Sequence, residues 1–299
     1  MKSFNYISIL FITVITCAWI ATGCAGGPTE QRIVTVSIEP QRYLLEQITG
    51  DKVQVRSLLT EGANPETYDP SVTHMFNLGK SIGYLRMGNI GFEAAIIDKI
   101  SEGNPNLRIF DTSAGIVPIL GTHSHGDHHH HDVIDPHTWT SVKNAKIIAH
   151  NMLEAMEKID PSNKQYYRRN YETFSARLDS IDNAITTRLA PCRGHSFMVW
   201  HPSLSYFARD YGLNQVVVGN AEHKENSITD LRSSIDRARR EGASIFFFQK
   251  DFDSRQVSAI NSELEAHEVN INPLSYRWEE ELLKIADAIA EAPAVKPTV

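Results

Sequence analysis

Seven of the chain's thirteen histidines lie in one short stretch, GTHSHGDHHHHDVIDPHTW, at residues 121–139. Imidazole is a favoured ligand of zinc, copper and nickel, so this concentration predicts binding of a divalent metal. Consecutive histidines cannot all serve one site, because neighbours face opposite ways on an extended chain and diverge by about 100° on a helix. We therefore predict a low-affinity metal loop; a solvated loop without a metal role is the alternative. The loop histidines are His123, His125, His128, His129, His130 and His131.

Four residues with metal-binding side chains stand at the ends of predicted strands or in the loops that follow them. They are Glu66, His137, His201 and Asn272. In open α/β sheets, ligands bind outside the carboxyl ends of the strands, so these side chains are expected to converge. Two imidazoles and a carboxylate suit zinc, manganese or iron better than calcium. Asn272 would add a carbonyl oxygen; in the alternative, a water molecule or Asp251 completes the shell.

The first half of the histidine-rich stretch also has the spacing HxHxDH, which resembles the zinc motif of metallo-β-lactamase-type hydrolases. This alternative site comprises His123, His125, Asp127, His128 and the downstream His195. Such an enzyme needs a helix directly after the motif. Pro136 breaks any helix within eight residues of His128, and the preceding chain alternates strands with helices. The hydrolase is therefore the weaker hypothesis.

The elements that must position these residues form an α/β fold with two lobes. β-branched runs alternate with amphipathic stretches, which predicts parallel strands covered by helices. The first lobe, residues 32–140, has predicted strands at 32–38, 53–59, 82–88 and 106–112, followed by the histidine-rich loop at 121–134. The second lobe, residues 192–292, has them at 195–201, 215–219, 244–249 and 269–272. The metal site is expected in the cleft between the lobes.

A helical segment, residues 141–191, separates the two lobes. Asp160, Pro161 and Ser162 form a helix-start signal, and apolar residues then recur at spacings of three and four. They are Tyr167, Tyr171, Phe174, Leu178, Ile181, Ile185 and Leu189. The pattern predicts a helix of about 28 residues, about 40 Å long, which connects the lobes.

The N-terminal residues read as an export signal. Lys2 precedes an apolar stretch and then the small residues before Cys24. The sequence ATGC at 21–24 resembles a lipobox, which predicts a signal peptide at 1–23, a lipidated Cys24 and a tether at 24–31. Simple cleavage near Ala25 is the alternative. Cys17 leaves with the signal in either case, so Cys192 has no internal partner for a disulfide.

Composition limits the classes of partner. The chain has 299 residues, of which 41% are hydrophobic and 22% charged, with a net charge of −7. These proportions are those of a globular protein with a sizeable core. Nucleic-acid binding normally requires clustered Lys and Arg, and no such run occurs. Small cations or neutral partners fit the sequence better.

Four ordered segments carry a family resemblance: GANPETYDP, DPHTWTSVKNA, HPSLSYFARDYGL and INPLS. Together they resemble the metal-binding solute-binding proteins of ABC importers, the zinc and manganese family, over about residues 32–290. The resemblance implies that His137 and His201 are ligands. Glu66 stands where the family usually has His, and Asn272 stands where Asp is typical, so the total ligand charge is unchanged. Zinc is the expected cargo, with manganese or iron second.

The resemblance also implies the biological role. The protein would be a monomer, lipid-anchored on the periplasmic side of the membrane, that captures a divalent metal and delivers it to an ABC importer permease. No reaction would be catalysed. The stiff connecting helix predicts only limited closure of the lobes on the metal. Surface lipoproteins of this family have been called adhesins, which leaves an adhesin as a further alternative.

Overall fold

A four-stranded parallel sheet forms the centre of the N-terminal lobe. The computed structural model describes residues 32–59, 65, 68–121, 133–218, 228–249 and 266–292. The strands are β1 (Ile33–Val36), β2 (Gln54–Ser57), β3 (Gly83–Arg86) and β4 (Ile109–Asp111), in the order β2-β1-β3-β4. In the register of the sheet, Val34 of β1 lies between Val55 and Gly83. The central strand β1 is almost wholly apolar and buried, as expected of a parallel strand covered on both faces.

Three described helices belong to this lobe, and a small hairpin follows β4 in the chain. The helices are α1 (Glu39–Thr49), α2 (Val72–Gly79) and α3 (Gly91–Gly103). The hairpin pairs β5 (Leu120–Gly121) with β6 (Val133–Ile134) in antiparallel fashion. The histidine-rich residues 122–132 connect its two strands in sequence and lie outside the described residues.

A buried carboxylate occupies the point in this sheet where the strand order reverses, between β1 and β3. Both oxygens of Glu93 accept backbone N–H bonds, Oε1 from Met87 at 2.6 Å and Oε2 from Gly88 at 2.7 Å. The Ser37 hydroxyl donates to Glu93 Oε1, which leaves Ser37 to accept from the Tyr84 hydroxyl at 2.7 Å. Burial raises the pKa of Glu93, and these hydrogen bonds oppose the rise.

Two long helices follow, α4 (Val142–Ile159) and α5 (Lys164–Leu189). The predicted connecting helix is α5, with 26 residues against about 28 expected, and a 3₁₀ turn at Pro161–Asn163 precedes it. Six of the seven predicted apolar positions are buried, and Tyr171 is partly buried. Helix α5 packs on α4 and on α1 of the N-terminal lobe. Periodicity therefore predicted both the helix and its buried face.

The junction between α4 and α5 is organised by the buried carboxylate of Asp160. Its oxygens accept hydrogen bonds from the hydroxyls of Ser162 at 2.7 Å and Tyr167 at 2.6 Å, and from Asn163 Nδ2 at 2.7 Å. Arg32, the residue just before β1, forms an ion pair with it at 2.6 Å. Burial alone would raise the pKa of Asp160, but these bonds outweigh it and lower the pKa to about 2.

The C-terminal lobe repeats the topology of the first. Its strands are β7 (Ser196–Val199), β8 (Asn214–Val217), β9 (Ile245–Phe248) and β10 (His267–Asn270), all parallel and in the order β10-β9-β7-β8. Its described helices are α6 (Ser205–Tyr211), α7 (Ile228–Arg240) and α8 (Trp278–Glu291). In each sheet the first strand lies between the second and the third, so the order reverses between β7 and β9 here.

Helix α5 also packs on α8, so the same helix contacts both lobes. The predicted α/β fold with two parallel sheets and one long connecting helix is confirmed. The boundaries at residues 140 and 192 stay predictions. The signal peptide, Cys24 and the tether all lie outside the described residues. Within the described part of the chain, no helix is both long and apolar enough to cross a membrane.

Direct contacts also join α1 to α8 at the interface of the lobes. Tyr43 of α1 donates a hydrogen bond to Glu279 Oε2 of α8 at 2.9 Å. Its ring packs against Phe174, Tyr276 and Trp278, with centroids 5.8 to 6.3 Å apart. One member of this aromatic cluster comes from α1, one from α5, one from α8 and one, Tyr276, from the loop just before α8, so the cluster fixes three helices together.

Candidate metal centre

Two predicted ligands, His137 and His201, meet in the structure although 64 residues separate them. Their Nε2 atoms are 3.2 Å apart, and the ring centroids are 5.0 Å apart with the planes at 73°. Only 4% of His137 and 8% of His201 is exposed. Zinc–nitrogen bonds in a tetrahedral site place two ligand nitrogens about 3.3 Å apart. The imidazole pair therefore already has the spacing that a shared metal ion requires.

His137 is oriented by Asp135, two residues before it. Asp135 Oδ1 accepts hydrogen bonds from both the backbone N and the ring Nδ1 of His137, each at 2.9 Å. Burial raises the pKa of Asp135, but its bonds and charge interaction with His137 outweigh this and lower it overall. A neutral His137 that donates from Nδ1 keeps the lone pair on Nε2, the atom that faces His201. Carboxylate–histidine pairs of this kind orient metal ligands in proteins.

His201 stands two residues beyond the end of β7, at the reversal point of the C-terminal sheet. The backbone N of Trp200 bonds to Phe247 O of β9 at 2.9 Å, which extends the pairing as far as the residue before His201. The chain then turns, with Ser203 N donating to His201 O at 2.7 Å. Ligands of open α/β sheets bind where the strand order reverses, which is the rule that predicts His201 as a ligand.

Asn272 lies in the loop after β10, and its side chain is engaged in a turn. The amide oxygen accepts a bond from Leu274 N at 3.1 Å, and Asn272 N donates to Glu281 Oε1 at 2.7 Å. An amide oxygen has a second lone pair, so the turn leaves it able to bind a metal. The same loop is bonded to a neighbour of the histidine pair, because Trp139 Nε1 donates a hydrogen bond to Pro273 O at 2.8 Å. The Trp139 ring lies 5.2 Å from that of His137.

The other predicted ligands lie outside the described residues. This applies to Glu66, to Asp251, to Asp127 and to the six loop histidines at 123–131. Across the described residues, no group of three or more His, Cys, Asp or Glu side chains could hold a metal ion. His195, the downstream residue of the hydrolase hypothesis, is exposed and precedes β7, at the end opposite His201.

Sequence reasoning did not assign a positioning role to Asp135 or Tyr206. The place of Asp135 two residues before a candidate ligand is a usable signal, because carboxylates often orient ligating histidines. The Tyr206 hydroxyl bonds to the backbone just outside the two strands of the hairpin. It accepts from Ile119 N, before β5, at 3.1 Å and donates to Asp135 O, after β6, at 2.9 Å. No local pattern indicates these partners, because they lie 87 and 71 residues away.

Comparison with known proteins gives a consistent result. The family model described as zinc-uptake complex component A, periplasmic, matches residues 34–292. A protein of Chlamydia trachomatis serovar D named only as metal-binding is 26% identical, covering 94% of this chain and 97% of its own. The high-affinity zinc uptake system protein ZnuA of Bacillus subtilis is 25% identical, with 92% and 89% covered. A crystal structure of a ZnuA deletion mutant with zinc bound is 32% identical, with a TM-score of 0.80 and 90% and 100% covered.

The fold, the buried imidazole pair and these similarities define a metal solute-binding protein of an ABC importer. The chain belongs to the family of the periplasmic component A of zinc-uptake complexes. This family consists of substrate-binding proteins, so membership replaces the hydrolase hypothesis.

Proposed function

We propose that this protein captures zinc between His137 and His201 and delivers it to the permease of an ABC importer. The observation that carries the proposal is the 3.2 Å separation of two buried Nε2 atoms, close to the spacing that zinc imposes. In the metal-free protein, one Nε2 must donate the hydrogen bond to the other. Because Asp135 holds the proton of His137 on Nδ1, His201 is the donor. To bind zinc through Nε2 as a neutral ligand, His201 would carry its proton on Nδ1 instead.

Two further ligands complete the proposed site, Glu66 from the first loop and Asn272 from the loop after β10. Glu66 would supply one negative charge, which partly neutralises a divalent cation. Their oxygens favour manganese or iron more than a third histidine would, whereas the imidazole pair favours zinc. Zinc ranks first because the two nitrogens are fixed in the structure, and a zinc-bound ZnuA structure shares the fold.

Metal analysis of protein purified without added metal tests this choice directly. We expect about one equivalent of zinc for each chain. Competition with manganese and iron in chelator-buffered solution should leave zinc in the site. Recovery of manganese in place of zinc would overturn the assignment of the cargo while leaving the metal-binding function intact.

The histidine-rich loop is proposed as a separate, weaker metal site. Its members are His123, His125, His128, His129, His130 and His131. We expect deletion of residues 123–131 to remove weak zinc binding and to leave one tight site, because both imidazoles of the pair lie outside the deleted stretch. Isothermal calorimetry measures the two classes of site. Loss of the tight site on loop deletion alone would show that the loop supplies its ligands.

The proposed location is the periplasmic side of the membrane, with a lipid on Cys24 as anchor. The protein would act as a monomer, with the permease as its macromolecular partner and without catalysing a reaction. Fractionation of cells that carry a Cys24→Ala variant tests the anchor, and size-exclusion chromatography with light scattering tests the monomer.

Metal release is proposed to need only small movements. Helix α5 contacts both lobes, and the Tyr43 aromatic cluster joins α1 to α8, so a wide hinge motion would break buried contacts. We expect the radius of gyration from small-angle scattering to change by less than about 1 Å when zinc binds. A large compaction on addition of zinc would contradict a stiff connection.

A further inference from the structure

Asp135 links the two segments that carry the imidazole pair. It lies in the loop before His137, in the predicted first lobe. Its backbone oxygen accepts a hydrogen bond from the Tyr206 hydroxyl at 2.9 Å. Tyr206 is in the first turn of α6, which begins four residues after His201. The His137 segment is thus bonded directly to the His201 segment.

We propose that Tyr206 is a positioning residue that sets the separation of His137 and His201. The inference rests on the proposed zinc site. Its chain of contacts has three steps: Tyr206 fixes the backbone of Asp135, Asp135 Oδ1 fixes the ring of His137, and His137 then faces His201.

The Tyr206 hydroxyl is well suited to this role because it both donates and accepts a hydrogen bond and belongs to a buried residue. It donates to Asp135 O and accepts from Ile119 N at 3.1 Å, and the residue is 0% exposed. Asp135 N in turn donates to Ile119 O at 2.9 Å. The two chain segments are therefore bonded to each other and to the same hydroxyl. A hydroxyl bonded in this way cannot move without breaking its bonds to the partly buried backbone of Ile119 and Asp135.

Precision in this separation matters for a metal ion. Metal–ligand distances in proteins vary by only about 0.2 Å, so two ligands from different lobes must be held to a similar tolerance. Partners that orient a ligand from behind typically contribute about 10- to 100-fold in metal affinity. Tyr206 does not contact His137 but holds Asp135, the residue that orients it. Tyr206 thereby connects Asp135 to the lobe that carries His201.

The test is Tyr206→Phe, which removes the hydroxyl and keeps the ring. We expect zinc affinity, measured by competition with a chromophoric chelator, to fall about 10- to 100-fold. Tyr211→Phe is the matched control, because it removes the hydroxyl of another tyrosine of α6, one that bonds Asp182 Oδ1 at 3.0 Å. The control should bind zinc as the unaltered protein does. An equal loss in both variants would indicate a general loosening of α6 and would overturn the positioning role.

A spectroscopic measurement separates positioning from stability. Cobalt(II), used as a probe in place of zinc, has visible absorption bands that depend on the geometry of its ligands. We expect these bands to shift in Tyr206→Phe and to superimpose on those of the unaltered protein in Tyr211→Phe. If Tyr206→Phe does not fold, Asp135→Ala tests the next step of the chain of contacts, the bond to His137 Nδ1, and zinc affinity should again fall about 10- to 100-fold. Unchanged affinity and spectrum in the folded variant would refute the inference.

Failure of this inference differs from failure of the proposed function. If the unaltered protein binds zinc tightly and loses it on His137→Ala, while Tyr206→Phe is unchanged, only the positioning role is wrong. If the unaltered protein shows no tight zinc site, the proposed function itself is wrong, and the role of Tyr206 is refuted with it.

Discussion

Replacement of His201 by alanine is expected to weaken zinc binding about 100- to 1,000-fold. Zinc sites with four protein ligands have binding free energies of about 10–16 kcal/mol, so one ligand accounts for about 3–4 kcal/mol on average. His201 supplies one of the two nitrogens that the structure places at metal-binding distance. With His201 removed, His137 keeps its orientation by Asp135 but has no partner nitrogen. His137→Ala should have an effect of the same size.

The matched control for this experiment is His195→Ala. His195 and His201 flank the same strand, β7, but His195 is exposed and stands at its opposite end. Competition titrations with a zinc chelator should show no change in this variant, and thermal unfolding without zinc confirms that each variant is folded. If His195→Ala weakened zinc binding as much as His201→Ala, the site would not be the imidazole pair.

The second large effect is expected in stability, from Asp160→Ala. The variant removes the acceptor of three hydrogen bonds and of the Arg32 ion pair at the junction of α4 and α5. Breaking such a network costs about 3 kcal/mol, because buried donors such as the Tyr167 hydroxyl lose their partner. Urea denaturation at neutral pH measures the loss. Asp51→Ala is the control, since the side chain of Asp51 is 84% exposed and its removal should be nearly neutral.

The same residue predicts a pH dependence of stability. The pKa of Asp160 is about 2 in the folded protein, below its ordinary value of 3.8. Unfolding therefore favours proton uptake at this residue, so its contribution is complete above about pH 4 and is lost as the pH falls towards 2. The shift corresponds to about 2 kcal/mol. In that pH range the stability difference between the Asp160→Ala and unaltered proteins should shrink; a constant difference would contradict the lowered pKa.

Sequence reasoning succeeded where one segment carries its own signal. The connecting helix followed from apolar spacings of three and four, and its buried residues were predicted individually. His137 and His201 were located by the rule that ligands follow the carboxyl ends of parallel strands, and by two motifs of the family. Both signals are local, so neither depends on knowing which strands are neighbours in the sheet.

What could not be predicted depends on contacts between distant parts of the chain. Asp160 was recognised as part of a helix-start signal, but its ion pair with Arg32 joins residues 128 positions apart. The link from Tyr206 to Asp135 requires the two lobes to be placed against each other first. Asn272 illustrates a further limit, because the strand-end rule located the residue but not the turn in which its oxygen bonds Leu274 N. The roles of Glu66 and of the loop histidines stay predictions.

Because the two sheets have matching strand orders, each lobe has one reversal point at which a ligand can bind. In the first, the chain supplies its own anion: Glu93 takes the backbone donors of Met87 and Gly88 and the hydroxyl of Ser37. In the second, the loop after β7 carries His201, whose Nε2 lies 3.2 Å from that of His137. One reversal point is thus filled by the chain's own carboxylate, whereas the other carries the imidazole pair that we propose as the cargo site.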